Sequence, residues 1–287
     1  MLMRYTIGDM ELFLLRTGRF RLDGGAMFGV VPKPLWEKSA RPDERNRISL
    51  GLNCVLARRA GHDDVVVDTG IGDKWDARGR DIYGIENEPG VVGALAAIGV
   101  EAGAVKHVLN THLHFDHAGG NTVREADGRV RATFPAARYV VQRGNLFEEA
   151  RSPIELRKAS YLAENFEPIV EADRLDLVEG DRDVFEGISV IVTGGHQKWH
   201  QAVVFSSRGE RALFPADIVP TAAHVNPPWI MAYDHYPLET LAMKKRLLAE
   251  AADGRWLVVL EHEPHAPVGR IARDGARFRW EPVEGKA

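Results

Sequence analysis

Cysteine is almost absent from this chain: Cys54 is the only one in 287 residues. A single thiol cannot close an intramolecular disulfide, which excludes a small secreted scaffold held by cross-links. Long apolar runs are missing too, and without a stretch of ~18 apolar residues no membrane-spanning helix is expected. The residues from Met1 to Asp9 do not pass from a basic stretch into an apolar one, so no secretory signal is expected and the expected location is the cytoplasm. No block of Lys and Arg stands out. The 37 basic residues face 41 acidic ones, a net charge of −4, which offers nucleic acid no electrostatic footprint. Tandem repeats and low-complexity tracts are also missing. What remains has the composition of an ordinary globular protein, 45% hydrophobic and 27% charged. The length admits one large domain or two modest ones at ~150 residues each. Histidine is the plentiful residue, with 11 copies.

Strand and helix patterns alternate throughout. Residues 52–57 and 65–68 are short β-rich runs joined by Gly61-His-Asp-Asp64, a hairpin signal. Val91, Leu95 and Ile98 recur at helical spacing and predict a helix over 89–98. Strands are expected at 105–109 and 138–142, with a short helix at 144–150. In the second half the run 188–193 alternates and stops at Gly194-Gly195, while 202–205 and 212–214 are candidates for pairing across 206–209. Residues 238–252 read as the clearest helix, with Leu241, Lys245, Leu248 and Ala252 along one face. A buried strand is expected at 256–260 and a plain hairpin at 269–282. Two similar β-then-α halves predict an α/β (α+β) fold, an αββα sandwich of two mixed β-sheets flanked by helices. A candidate site drawn from both halves favours a single domain over residues 1–287.

That site begins at Thr111-His-Leu-His-Phe-Asp-His117. Four potential metal ligands, His112, His114, Asp116 and His117, follow an apolar strand directly, where a loop can fold them around an ion. Imidazole and carboxylate together suit Zn2+ and similar first-row divalent metals. Gly119 and Gly120 come next and are expected to let the backbone turn tightly beside the ligands.

The stretch resembles the signature of the metallo-β-lactamase superfamily, and further segments match that family in order: Thr193-Gly-Gly-His196, Phe214-Pro-Ala-Asp217, Leu260-Glu-His262, and the early turn Val67-Asp-Thr-Gly70. The resemblance implies two divalent metal ions. His112, His114 and His196 would hold the first, Asp116, His117 and His262 the second, and Asp217 would bridge them. Zn2+ is the expected metal, with Fe, Co or Mn able to use the same ligands. Such a pair generates hydroxide near neutral pH for attack on a carbonyl, and Asp116 is then placed to pass a proton to the leaving alkoxide. Asp68 is expected to orient the metal loop through hydrogen bonds. His265 competes with His262 for the last ligand position. His262 is favoured because it sits nearer the strand end and is followed by Glu263. His200 occupies a position that is structural in the family; His62, His107 and His235 are expected on the surface or in packing.

Within the family the resemblance is to the N-acyl-homoserine lactonase-like hydrolases. The segment from Asp23 to Trp36 looks like their apolar N-terminal arm, here at about residues 18–48. Met27, Phe28 and Trp36 would offer soft and aromatic surface to an acyl chain or aryl group, with core packing or a dimer contact as the alternative. His224 is a further pocket candidate. Some lactonases carry Tyr three residues after the bridging Asp; this chain has Pro220 there, which leaves Tyr233 to assist the carbonyl. The expected activity is therefore a metal-dependent lactonase or esterase with a small-molecule lactone or ester substrate, no nucleic-acid or membrane partner, and a homodimeric state. An aryl ester or organophosphate hydrolase, or a glyoxalase II-like thioesterase, is the alternative in the same site. A non-enzymatic metal-binding protein or a diiron redox protein is the third reading.

Overall fold

The computed structural model describes residues 3–275 and 277–286. The N-terminal half contains β1 (Met3–Ile7), β2 (Met10–Asp23), α1 (Gly24–Phe28), α2 (Lys33–Trp36), β3 (Arg47–Arg59) and β4 (Val65–Val67). It continues through α3 (Ala77–Tyr83), α4 (Gly90–Ala96), β5 (His107–Leu109) and α5 (Phe115–Ala118). A side hairpin of β6 (Thr122–Arg124) and β7 (Val130–Ala132) leads to β8 (Arg138–Gln142), α6 (Glu167–Glu171) and β9 (Leu175–Val178). The first sheet has the order β1-β2-β3-β4-β5-β8-β9, antiparallel as far as β4 and parallel beyond it.

The second half adds β10 (Arg182–Phe185), β11 (Ile188–Val192), β12 (Gln201–Ser207), β13 (Glu210–Phe214), α7 (Pro237–Asp253), β14 (Leu257–Val259), β15 (Val268–Asp274) and β16 (Arg277–Pro282). These strands lie side by side in chain order. Only β13 and β14 run parallel, because α7 carries the chain back across the sheet between them.

Strand periodicity fixes the layers. Along β2, Leu12 and Leu14 face one side and Phe13 and Leu15 the other, since successive side chains alternate. Leu12 and Leu14 join Val55, Val67 and Val140 against Val203, Phe205 and Phe214 of the second sheet, which makes the central core. Phe13 and Leu15 pack with Val91 and Leu95 of α4 on the outside, as Val204, Leu213 and Val258 do with Leu247 and Leu248 of α7. The result is helix, sheet, sheet, helix. Each fully buried Leu, Val or Phe stabilises this arrangement by about 1.5–3 kcal/mol. Among the described residues no helix is long and apolar enough to cross a membrane.

Three local expectations change. The buried face of α7 is Thr240, Lys244, Leu247, Leu248 and Ala251, one position from the face expected, and Lys245 is exposed. The Lys244 stem lies in the core while its ammonium donates to the carbonyls of Asn226 (3.4 Å) and Trp229. The arm is also less separate than its apolar composition suggested. Residues 18–23 continue β2 past a bulge between Arg16 and Gly18 and pair with the start of β3, and α1 and α2 fold onto that extension. Finally, Gly119 is not a left-handed turn residue, with φ −59°. A Cβ there would stand 2.2 Å from the Ile71 carbonyl oxygen, and one on Gly120 2.3 Å from that of Thr69. Close approach of the 69–72 backbone, rather than a tight turn, requires both glycines.

Candidate metal centre

Five strands end at one edge of the sandwich, and each delivers a site residue just past its C-terminal end: Asp68 after β4, His112 after β5, His196 after β11, Asp217 after β13 and His262 after β14. Asp68 adopts φ 54°, a conformation that short polar side chains tolerate. Its Oδ1 accepts the Thr111 backbone N–H (2.8 Å) and its Oδ2 accepts the Thr111 hydroxyl (2.6 Å), which pins the loop entering α5. His114 is the N-cap of that short helix, and Asp116 and His117 lie in its single turn.

The seven residues expected as ligands form two clusters. In the first, His112 Nε2 lies 3.0 Å from His114 Nδ1, which lies 3.2 Å from His196 Nε2; that nitrogen is 3.1 Å from Asp217 Oδ2. In the second, His262 Nε2 is 3.3 Å from His117 Nε2 and 3.6 Å from Asp116 Oδ2. Asp217 faces both: Oδ2 is turned to His196, and Oδ1 is 3.0 Å from His262 Nε2. A tetrahedral ion with bonds of ~2.0–2.1 Å separates its ligand atoms by about 3.4 Å, so these spacings fit one divalent ion per cluster. All seven residues are buried. Asp217 Oδ1 finds no hydrogen-bond partner among the described residues, the situation of a carboxylate oxygen whose partner is a cation.

The outer faces of the rings are held in a consistent way. His196 Nδ1–H donates to Asp234 Oδ1 (2.9 Å), His262 Nδ1–H to the Gly51 carbonyl (2.9 Å) and His117 Nδ1–H to Asp68 Oδ2 (3.1 Å). His112 Nδ1–H lies 3.1 Å from the Thr111 hydroxyl oxygen, whose own proton goes to Asp68. Each contact leaves Nε2 with its lone pair turned inward, as metal ligation requires. His200 is buried beneath, and its Nε2 accepts the Asp217 backbone N–H at 3.3 Å. His265 is exposed, whereas His262 points into the cluster.

The electrostatics match the donor set. Burial and the neighbouring imidazoles hold His112 and His114 well below the usual histidine pKa. Burial would push Asp217 up, but His196, His117 and His262 outweigh it and hold the carboxyl well below the usual range. In return, and against its own burial, His262 is pushed up to about 9 by the Asp217 charge.

A cavity of about 240 Å3 opens onto both clusters. Its floor includes His114, Asp116, His196, Asp217 and His262, and its walls include Leu22, Met27, Tyr83, Phe115, Leu156, Arg157, Met231 and Tyr233. Of the five residues expected at the pocket, Met27 and Tyr233 line it. Phe28, Trp36 and His224 do not, and they form a stack beneath: Phe28 lies flat between Trp36 (5.1 Å) and His224 (4.9 Å), and His224 Nε2–H donates to the Met27 carbonyl at 2.8 Å. Neighbouring residues on a helix diverge by about 100°, so α1 turns Met27 to the cavity and Phe28 into the core. Asp234, Arg157 and Glu261 escaped the sequence reading, as did Gln197, whose Nε2 lies 3.3 Å from His114 Nε2. Glu261 alone carried a local signal, an acid beside a candidate ligand at a buried strand end.

Residues 50–262 match the metallo-beta-lactamase superfamily. An N-acyl homoserine lactonase of Agrobacterium fabrum is 28% identical over 226 residues, covering 74% of this chain and 81% of that protein. A crystal structure from Staphylococcus aureus, described as a probable metal-dependent hydrolase, is 31% identical with a TM-score of 0.89, covering 99% of this chain and 100% of the other. The fold also superposes on a dizinc quorum-quenching lactonase holding a homoserine product, with TM-score 0.79 at 18% identity, covering 100% and 98% of the two chains. The ligand order, the two-sheet fold and these matches agree: the chain belongs to the metallo-beta-lactamase superfamily.

Proposed function

We propose that this protein is a di-metal hydrolase that opens a lactone or ester. The observation that carries the reading is the pair of ligand clusters, with Asp217 turned to His196 of one and His262 of the other, at the floor of a cavity with largely apolar walls. When bound, two divalent ions, with Zn2+ proposed, would supply an activated water and a Lewis-acidic position for the carbonyl oxygen. The chain's own residues then have separate tasks. Met27, Phe115 and Met231 shield the ester from bulk water and offer soft surface to an acyl chain. Tyr233, whose phenol burial pushes up to about 12, stays protonated and can donate to a substrate oxygen. Asp116 lines the cavity, and its carboxylate can take the proton of the attacking water and return it to the leaving alkoxide as the acyl C–O bond breaks. The lactonase similarity supports this class over phosphotriesters and thioesters. We propose further that the protein is cytoplasmic and dimeric; exposed Val30 and Leu35 on the arm support the dimer, which light scattering tests.

The test is a substrate panel on metal-quantified protein: lactones of varied acyl length beside p-nitrophenyl acetate, a paraoxon-type phosphotriester and S-lactoylglutathione. Lactones should give the highest kcat/KM, and chelation should abolish turnover. His117→Ala and Asp217→Ala should each cost more than the ~10–100-fold typical of groups that only support a ligand. Full activity in chelated protein sinks the proposal.

A further inference from the structure

We infer that Glu261 is a positioning residue for the second half of the metal centre, acting through His117 without touching metal or substrate. The inference rests on the di-metal reading above. His117 has one outer nitrogen, and two carboxylates approach it. Asp68 Oδ2 takes the Nδ1–H at 3.1 Å with hydrogen-bond geometry, while Glu261 Oε2 comes closer, 2.9 Å, without it. Among the described residues no other site histidine has two acids behind it: His196 has Asp234 and His262 has a backbone carbonyl.

Glu261 is fully buried, and neither of its oxygens finds a hydrogen-bond partner among the described residues. Its placement is enforced. The Asn53 amide Nδ2 donates to the carbonyls of Leu260 (3.1 Å), Glu261 (2.8 Å) and Glu263 (2.8 Å), fixing the backbone from which the side chain projects. A buried carboxylate without donors is costly unless positive charge compensates it. An ion bound at Nε2 of His117 supplies that charge through the same ring. A bound ion places more charge behind that ring than the metal-free imidazole does, so Glu261 favours the loaded state and strengthens retention of the second ion.

The test is a titration of chelator-stripped protein with Co2+ and with Zn2+ against a chromophoric competitor, with melting temperatures of both forms. Wild type should take up two equivalents. Glu261→Gln should bind the first with unchanged affinity and the second 10–100-fold more weakly. Glu261→Gln should gain less melting temperature on loading than wild type does. Unchanged affinity for the second equivalent overturns the inference, as does an equal loss of melting temperature in both forms, the mark of a purely structural residue. If Glu261→Gln does not fold, Glu261→Asp, which withdraws the carboxylate by one methylene, decides on the same titration: a weakened second equivalent supports the inference and an unchanged one overturns it. If wild type itself fails to bind two equivalents, the di-metal reading fails instead.

Discussion

His114 is the one site histidine that turns Nδ1 inward; the other four present Nε2. The two histidines also differ in backbone: His114, at the N-cap of α5, is extended (φ −64°, ψ 157°), while His117 lies within the helical turn. This compactness made the centre readable in sequence: one strand end and one helical turn supply four of seven candidate ligands. Of the outer contacts, Asp68 was readable from the early turn before the metal loop, whereas Asp234 was not, since it lies 38 residues from His196 and no spacing links them. Asp217 raises the affinity of His262 for a proton to about 9, so a metal ion must displace a proton that is bound at neutral pH. Metal uptake at pH 7 should therefore release protons, and apparent affinity should fall as pH drops below about 9. Calorimetry in buffers of different ionisation enthalpy measures the proton count, and a count of zero contradicts the prediction. At the pocket, Tyr233→Phe should lower kcat by roughly 100–1,000-fold with little change in stability, as loss of a hydrogen-bond donor to the transition state does. Phe28→Ala should do the reverse, removing about 3–5 kcal/mol of stability in a urea titration because Phe28 is the middle of a buried stack.

At the scale of elements, α7 was the helix best marked by periodicity, yet its buried face is displaced by one residue. Apolar Leu241 and polar Lys244 compete for the same stripe, and only the carbonyls of Asn226 and Trp229 decide for Lys244. Those carbonyls belong to another loop, so no local pattern contains them. β2 was missed for a related reason: Leu12 to Leu15 are buried on both faces, and the bulge at Arg16 and Gly18 breaks the alternation. Lys244 makes the energetic point measurable. Burial lowers its pKa from 10.5 to about 7. The unfolded chain thus holds the proton more tightly, and stability is greatest above pH 10.5 and lost as pH falls towards 7, below which both states are charged. Wild type should gain on Lys244→Met between pH 7 and 9 by at most about 1.4 kcal/mol per pH unit. Urea midpoints at pH 7, 8 and 9 test this, and a constant difference between the two proteins would count against it.

For the whole molecule, the two sheets share one core, with Leu12, Val67 and Val140 from the first half against Val203, Phe205 and Phe214 from the second. Neither half covers its inner face alone. The candidate ligands divide in the same way, with His112, His114, Asp116 and His117 before residue 180 and His196, Asp217 and His262 after it. An ion in either cluster therefore ties the two sheets together at the edge where their strands end. Anything that binds the folded chain and not the unfolded one stabilises the fold by mass action, about 4 kcal/mol at a thousandfold excess over Kd. We propose that the chain unfolds as one unit and that metal raises the stability of both halves together. Thermal unfolding followed by far-UV and near-UV signals should give a single coincident transition, which chelation moves to lower temperature without splitting it. Asp217→Ala, which removes a residue facing both clusters, should lose most of the metal-dependent gain, and its stripped form should melt below stripped wild type because the buried pairing with His262 is lost. Two separated transitions, with only one of them moved by metal, would show that the halves fold independently and that the centre belongs to one of them.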